Sequence, residues 1–527
     1  MNINIIKWCK SNLPFLILLL IFFGFSFDTI LHRPPTGQHI WRQTDCLSIT
    51  QQYAEGAPFF EPQMHIQLAD KNTSGKTAGE FPILYYIVGK IWSAIGQSTL
   101  SFRLFYLLIL TCGVFALFKT LSLVLKNQFW SIALTFLLIS SPLYIFYSVG
   151  FLTDAPAYSF VLIALFYFTY YSIHQTKRHL YFAILFFSLA GLIKVSSLIA
   201  FIFIGFIYFL EFLPIATLGT RKLFRNRKFE SLLIILVPIF VLSWYVYASF
   251  YNELHTFKYT FNNVYPLWIM GEDELNTVTH RVITFASHFF YSRALLYFIA
   301  IICLYNLFSW RKINAFAYTA NLIILIGSIA YFVLWAPLMG QHDYYYNALL
   351  ILIPAIVIPF IWNIKTNYLK VFNSAILKVT FSCFVFYNLW YCASAVRLKG
   401  ESNIANHLVL GRTNNFVGET IWYNWHNGTN FNRLIELQPK LESLNIKKSD
   451  KIVVIPDYSF NTTLYYLNRK GWTNFKSYSK SSEIDLLISK GAKYLFILDE
   501  EYTKKKYLEP FLDNEIYTYK GVRIFKL

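Results

Sequence analysis

The stretch "LYFAILFFSLAGLIKVSSLIAFIFIGFIYFLEFL", residues 180–213, is apolar along almost its whole length but carries one lysine, Lys194, near its middle. At ~1.5 Å per residue, one helix over this run would far overreach the ~30 Å hydrocarbon core of a bilayer, while two spans of about 20 residues barely fit. The choice decides the side on which everything downstream lies. A single span would carry "RKLFRNRK" (221–228) to the outer face, against the tendency of Lys and Arg to stay inside. A tight hairpin with Lys194 at its outer turn keeps that run inside, and this is the topology the sequence supports.

Worked outward from this hairpin, apolar runs predict eleven spans, near 12–31, 101–125, 129–149, 155–173, 180–194, 196–213, 230–250, 288–308, 314–336, 344–362 and 371–392. With the N-terminus in the cytoplasm, inner loops carry Lys126, Lys177 with Arg178, the 221–228 run, Arg311 with Lys312, and Lys365 with Lys370. The short outer turns at 150–154 and 337–343 contain no Lys or Arg. The N-terminal "MNINIIKWCKSNLPFLILLLIFFGFSF" begins like a signal peptide but lacks a small-x-small cleavage site, so a retained first helix is predicted. "FPILYYIVGKIWSAIG" (81–96), short and interrupted by Gly89 and Lys90, is read as lying along or dipping into the outer surface. Residues 32–100, Asp154, Lys194, loop 251–287, the turn 341–346 and the C-terminus then all belong to the outer side.

Composition agrees with a polytopic membrane protein: 56% of 527 residues are hydrophobic and 14% charged, with mean hydropathy +0.43. The net charge of +18 does not point to nucleic acid, because the basic residues sit between apolar runs rather than on one face with stacking aromatics. The six cysteines form no CxxC pair and predict neither a disulfide framework nor a zinc site.

After about residue 397 the pattern changes. "KIVVIPD" (451–457) and "KYLFIL" (493–498) read as buried strands, "SEIDLLISKGA" (482–492) as a helix between them, and "IYTYKGVRIFKL" (516–527) as a closing hairpin. The expected organisation is a transmembrane domain over 1–396, with a long first outer loop 32–100, and a small extracytoplasmic α/β domain over 397–527. That domain has no Gly-rich phosphate loop, HExxH or GxSxG.

The first outer loop holds "GQHIWRQTDCLSITQQYAEG" (37–56). By periodicity it is an amphipathic helix that turns Ile40, Leu47 and Ile49 to lipid or protein and pairs Arg42 with Asp45 at i,i+3. By itself this describes an interfacial helix with a solvated ion pair. Asp154 in "FLTDAPA" suits a helix N-cap, with Pro156 in the first turn, or an active-site acid. Lys194 suits either a snorkelling turn residue or a phosphate-binding cation. His342 and Asp343 open "YYYNALLILIPAI", as a helix cap with a tyrosine belt or as a ligand-binding turn. Glu80 is read as a cap or a partner of Arg103, or as an aid to an acceptor or metal. His39 has no second His at metal-ligand spacing. Loop 251–287, with Glu253, His255, "GEDE" (271–274) and Arg281, is read as a solvated cover that selects the acceptor.

The motifs "HIWRQTD" (39–45), "EFPILYY" (80–86), "FLTDAPA" (151–157), "LAGLIKVSS" (189–197) and "GQHDYYY" (340–346), in this order on one face, resemble the GT-C superfamily of polyprenyl-phosphate-sugar glycosyltransferases. The resemblance is to the bacterial branch related to protein O-mannosyltransferases and the lipid A aminoarabinose transferase. It implies an inverting enzyme that moves a sugar from a polyprenyl-phosphate donor to a hydroxyl of a cell-surface glycan, lipid or protein. On that resemblance Asp45 is the catalytic base and Asp154 a second catalytic acidic residue. Lys194, Arg42 and His342 or Tyr345 hold the donor phosphate or sugar, and Glu80 and His39 are acceptor-side or accessory candidates. No organic cofactor is implied, and the need for a divalent metal is left open.

Two other classes share the gross features. A lipid-linked glycan transporter would show internal repeats with paired broken helices, which are not seen. An O-antigen ligase or polymerase would carry its large outer loop later in the chain. The Ile, Lys, Asn, Phe and Tyr bias points to a bacterial inner membrane with the C-terminal domain in the periplasm, although the sequons at Asn72, Asn427 and Asn461 would also lie outside in an endoplasmic-reticulum protein.

Overall fold

The protein is described from a computed structural model, over residues 24–213, 223–224, 227–257, 264–400, 420 and 431–527. Most of the first predicted span, half of "RKLFRNRK", part of loop 251–287 and the Asn427 sequon lie outside the described residues. The chain divides into two compact units, the first of Met1–His32, Arg103–Trp244 and Asn263–Glu419, the second of Arg33–Phe102, Tyr245–Asn262 and Thr420–Leu527.

The first unit is helical. Among the described residues of the chain, six helices are long and apolar enough to cross a membrane, or eight if each of two bent pairs is one span. The other three of the eleven predicted segments account for the difference. The segment 12–31 is largely outside the described residues, and the 180–213 run forms two shorter helices, Lys177–Ile193 and Ile199–Phe212. Lys194 breaks that run with an extended backbone (φ −159°, ψ 103°), and Val195–Leu198 forms a 3-10 turn before the second helix.

The predicted span 129–149 is bent, and the predicted span 288–308 starts at a second bend, whose first arm includes the helix Glu272–Phe285 in the segment read as a solvated loop. Gln128–Ile139 and Pro142–Ser148 meet at 77°, and Glu272–Phe290 and Arg293–Phe308 at 101°. At the first bend Pro142 lacks the N–H that would continue the helix, while Ser141 Oγ accepts from the Tyr144 N–H and starts a new one. At the second, Ser292 caps Leu295 in the same way.

Polar side chains tie the helices together where lipid could not satisfy them. Asn306 Nδ2 donates to the Ile356 carbonyl at 2.8 Å, Asn321 Nδ2 to Ala355 at 3.0 Å, and Asn363 Nδ2 to the Tyr305 hydroxyl at 2.7 Å. Gly113 allows close approach to the Asp154–His174 helix: a Cβ there would stand 2.8 Å from that of Ser159. On the helix Arg227–Leu254, Leu232, Ile235, Ile239 and Leu242 form an exposed apolar stripe suited to lipid contact.

The second unit is built on a five-stranded sheet, β1 (Lys451–Ile455), β2 (Gly471–Thr473), β3 (Ala492–Ile497), β4 (Glu515–Tyr519) and β5 (Val522–Lys526), in the order β2-β1-β3-β5-β4. β1 pairs in parallel with β2 and β3, and β5 is antiparallel to β3 and β4. The strands β1, β3 and the closing hairpin fall where the sequence pattern puts them. The three-residue β2 is too short to show a period of two.

The edge at β2 is covered by the first-loop segment. Gln67 N–H donates to the Gly471 carbonyl at 2.8 Å, and Gly471 N–H to that of His65 at 3.1 Å. Gly471, with φ +156°, has no room for a side chain, because a Cβ would lie 1.8 Å from the Ile452 carbonyl oxygen. The helix Ile40–Ala54 packs on Ile83–Ile95 through Gly89, whose Cβ would meet that of Tyr53 at 2.6 Å.

Candidate active site

In the second unit the polar face of the helix Ile40–Ala54 is buried rather than solvated. Thr44, Asp45, Ser48, Gln51 and Gln52 are all buried, and their spacing puts most of them on one side of the helix. Asp45, 4% exposed, accepts at Oδ1 from Asn461 Nδ2 at 3.0 Å. The Arg42 guanidinium forms its ion pair with Glu80, and Glu80 also accepts from the Tyr85 hydroxyl at 2.8 Å. Tyr85 reaches Cys46 Sγ at 3.1 Å as well. Burial pushes the Cys46 thiol up to about 12 despite the opposing charge of Arg42, so it stands as a packed thiol and not a nucleophile. His39 precedes the helix in a left-handed conformation (φ 60°).

Ser48 Oγ accepts from the His65 N–H at 2.9 Å and lies 2.7 Å from its Nδ1. Burial drives the His65 imidazole down to about 4, against an ordinary value of 6.5. A base whose folded pKa is depressed loses stability as pH falls, because the unfolded chain takes up the proton first. The window runs from about 6.5 down to about 4 and is worth roughly 3 kcal/mol at full extent. We therefore expect the melting temperature of the wild type to fall more steeply between pH 6.5 and 4.5 than that of His65→Gln. Equal slopes would show that His65 does not titrate on unfolding.

In the first unit a second cluster forms around the break at Lys194. Asp154 is the first residue of its helix, where an acid is favoured by the helix dipole, and Thr153 rather than Asp154 takes the cap position. Lys194 Nζ lies 2.8 Å from Asp154 Oδ1, 4.8 Å from the centre of the Tyr345 ring and 5.6 Å from that of Tyr344. Tyr344 in turn stacks on His342 with centroids 5.3 Å apart. A cation held between a carboxylate and two aromatic faces is well placed to meet an anion.

The turn that carries these rings is clamped from behind. Asp343, 1% exposed, is ion-paired to Lys399 and accepts from the Tyr147 hydroxyl. Lys399 is the last residue of the helix Ala375–Lys399 and lies 3.6 Å from the centre of the Phe289 ring. Arg103 donates to the Ile30 carbonyl at 3.0 Å and lies over Phe151.

The structure thus brings Arg42, Asp45 and Glu80 into one cluster, and Asp154, Lys194, His342 and Tyr345 into another. Sequence reasoning did not single out Tyr344, Tyr147 or Lys399, and it read Asn461 only as a sequon. The run of tyrosines at 344–346 was a usable signal for the first, but the others come from distant segments. Among the described residues no three His, Cys, Asp or Glu side chains stand together so as to hold a metal ion.

No known protein-family profile matches the sequence, and no characterised protein is significantly similar to it. Its fold, however, is shared with solved structures. ArnT from Cupriavidus metallidurans in the apo state superposes with a TM-score of 0.59 at 10% identity, over 99% of this chain and 98% of that one. The oligosaccharyltransferase AglB from Archaeoglobus fulgidus, in complex with an inhibitory peptide and a dolichol-phosphate, does so with a TM-score of 0.54 at 15% identity, over 93% of this chain and 70% of that one.

Proposed function

We propose that this chain, a membrane protein with the GT-C glycosyltransferase fold, transfers a sugar from a polyprenyl-phosphate donor to a hydroxyl of a cell-surface glycan, lipid or protein. The observation that carries this reading is Lys194, a cation at a helix break within an apolar run, set against Asp154 and the Tyr345 ring. The dolichol-phosphate in the AglB complex is in keeping with a lipid-linked donor. The proposed topology has eleven spans, with the N-terminus in the cytoplasm and the residues of each cluster on the outer side.

The chemistry asks for two kinds of group. Asp45 takes the proton of the acceptor hydroxyl as its oxygen attacks the anomeric carbon from the face opposite the phosphate. The carbon–oxygen bond to phosphate breaks, and the departing polyprenyl phosphate carries an added negative charge that Lys194 and its neighbours stabilise. One carboxylate suffices, because the phosphate leaves without needing an acid. These roles are assigned separately, each on the chemistry of its own cluster.

The test is release of polyprenyl phosphate by the full-length protein in vesicles, from a panel of polyprenyl-phosphate sugars with lipid A, glycan and peptide acceptors. Turnover of one donor is expected. Lys194→Gln should raise KM for that donor about 10- to 100-fold, as for loss of a charge-assisted contact of ~1.5–3 kcal/mol, with acceptor KM unchanged. Consumption of only diphosphate-linked glycans would instead mark a ligase, and folded protein inactive on every donor and acceptor would sink the proposal.

A further inference from the structure

The C-terminal segment of the second unit carries no catalytic signature of its own, yet one of its side chains touches the proposed base. Asn461 lies in the loop after β1, with 0% of its surface exposed. Its Oδ1 accepts from the Ile66 N–H at 2.9 Å, which fixes the orientation of the amide. Nδ2 is thereby aimed at Asp45 Oδ1, 3.0 Å away, and at Met64 Sδ, 3.2 Å away.

The loop is built to hold this residue still. Asp457 accepts from the N–H of Ser459 at 2.8 Å and that of Thr463 at 3.0 Å. Ser459 Oγ accepts from the Thr462 N–H at 3.0 Å, and the short helix Thr462–Leu467 begins directly after Asn461. Thr462 and Thr44 hydroxyls meet at 3.1 Å, beside the Asp45 contact on the first-loop helix.

The buried Ile66 N–H needs an acceptor at this place, which accounts for the amide's oxygen but not for a donor aimed at Asp45. The sequon Asn461-Thr462-Thr463 is no explanation either, because the amide is fully buried and both of its polar atoms are engaged. An amide donor on one carboxylate oxygen does have a consequence for a base. It fixes the plane of the carboxylate, and so the direction in which Asp45 accepts a proton.

Resting on the reading of Asp45 as the acceptor's base, we propose that Asn461 is a positioning residue that orients Asp45, which makes the loop after β1 part of the catalytic apparatus.

The experiment uses the full-length protein in vesicles, with the polyprenyl-phosphate sugar that the wild type turns over. Asn461→Ala and Asn461→Asp are compared in the wild-type and Asp45→Asn backgrounds. Asn461→Ala is expected to lower kcat about tenfold or more, with donor KM within twofold of wild type. In the Asp45→Asn background the same change should cost less than twofold, because there is no base left to orient.

Asn461→Asp keeps the acceptor for Ile66 but sets a second carboxyl against Asp45. Two carboxyls sharing a site raise one pKa, so the acid limb of the kcat/KM profile should move up by about one pH unit or more. Arg42 and Glu80, the charged groups nearby, are the same in every variant. This shift places position 461 against the base, and it is the unequal cost of Asn461→Ala in the two backgrounds that separates a positioning residue from a merely structural one.

Wild-type kcat and pH profile in both Asn461 variants, with Asp45→Asn impaired, would overturn the inference, as would equal fractional losses in the two backgrounds. If Asp45→Asn were as active as wild type, the reading of the base would have failed instead. Melting temperatures of wild type, Asn461→Ala, Asp45→Ala and the double variant report the contact without turnover: non-additive shifts are expected, and additive ones overturn it.

Discussion

Asp45→Asn should lower kcat for sugar transfer from the proposed polyprenyl-phosphate donor by about 100-fold or more, the effect expected when a positioned general base is removed. Donor KM changes little, because the donor's phosphate is assigned to other residues. The substitution is close to isosteric, and the new amide can still present an oxygen to Asn461 Nδ2, 3.0 Å from Oδ1 in the wild type. The Arg42–Glu80 pair and the Tyr85 hydroxyl that buttresses it are untouched. The variant should therefore melt close to the wild type, so lost turnover is lost chemistry. Measured at matched amounts of folded protein, a loss below about threefold would remove Asp45 from the reaction and return it to a structural role.

The break at Lys194 was legible because a single residue imposes it. A lysine inside an apolar run costs ~2.5–3.5 kcal/mol near the bilayer centre, so Lys194 had to mark an end, and the backbone does turn there. Pro142 after two serines was an equally good stop signal, but the apolar run on both sides of it reads as one span by composition. The bend of 77° is a matter of local hydrogen bonding that hydropathy does not register. In the C-terminal segment β1 and β3 were legible because buried parallel strands are continuous apolar runs.

The candidate residues were visible where chemistry is concentrated in a short motif, as in "HIWRQTD" and "HDYYY". What periodicity mistook was the environment of the first motif. An amphipathic helix has the same pattern whether its polar face meets water or a polar protein surface, and here Thr44, Asp45 and Ser48 are buried. Asn461 lies 416 residues from the aspartate it touches, and nothing local to either residue announces the contact. The i,i+3 pairing of Arg42 with Asp45 was a local expectation; the structure gives Arg42 a partner from another segment, Glu80.

The second large effect is one of stability. Lys399 is 2% exposed at the end of its helix, ion-paired to Asp343, with the Phe289 ring 3.6 Å away and the Phe146 ring 5.2 Å away. Removing one partner of such a pair strands a charge in a medium that cannot solvate it, at a cost of about 3–5 kcal/mol, whereas removing both is far cheaper. Lys399→Met should accordingly lower stability by about that amount in detergent, and the double variant Lys399→Met/Asp343→Asn should recover most of it. Asp343 stands between His342 and Tyr344, so a slackened turn also loosens the rings around Lys194, and donor KM should rise in the single variant and return toward wild type in the double. Recovery of stability without recovery of KM would mean that the charge of Asp343 itself serves the donor site; failure to recover either would mean that the pair is held by more than its own two charges.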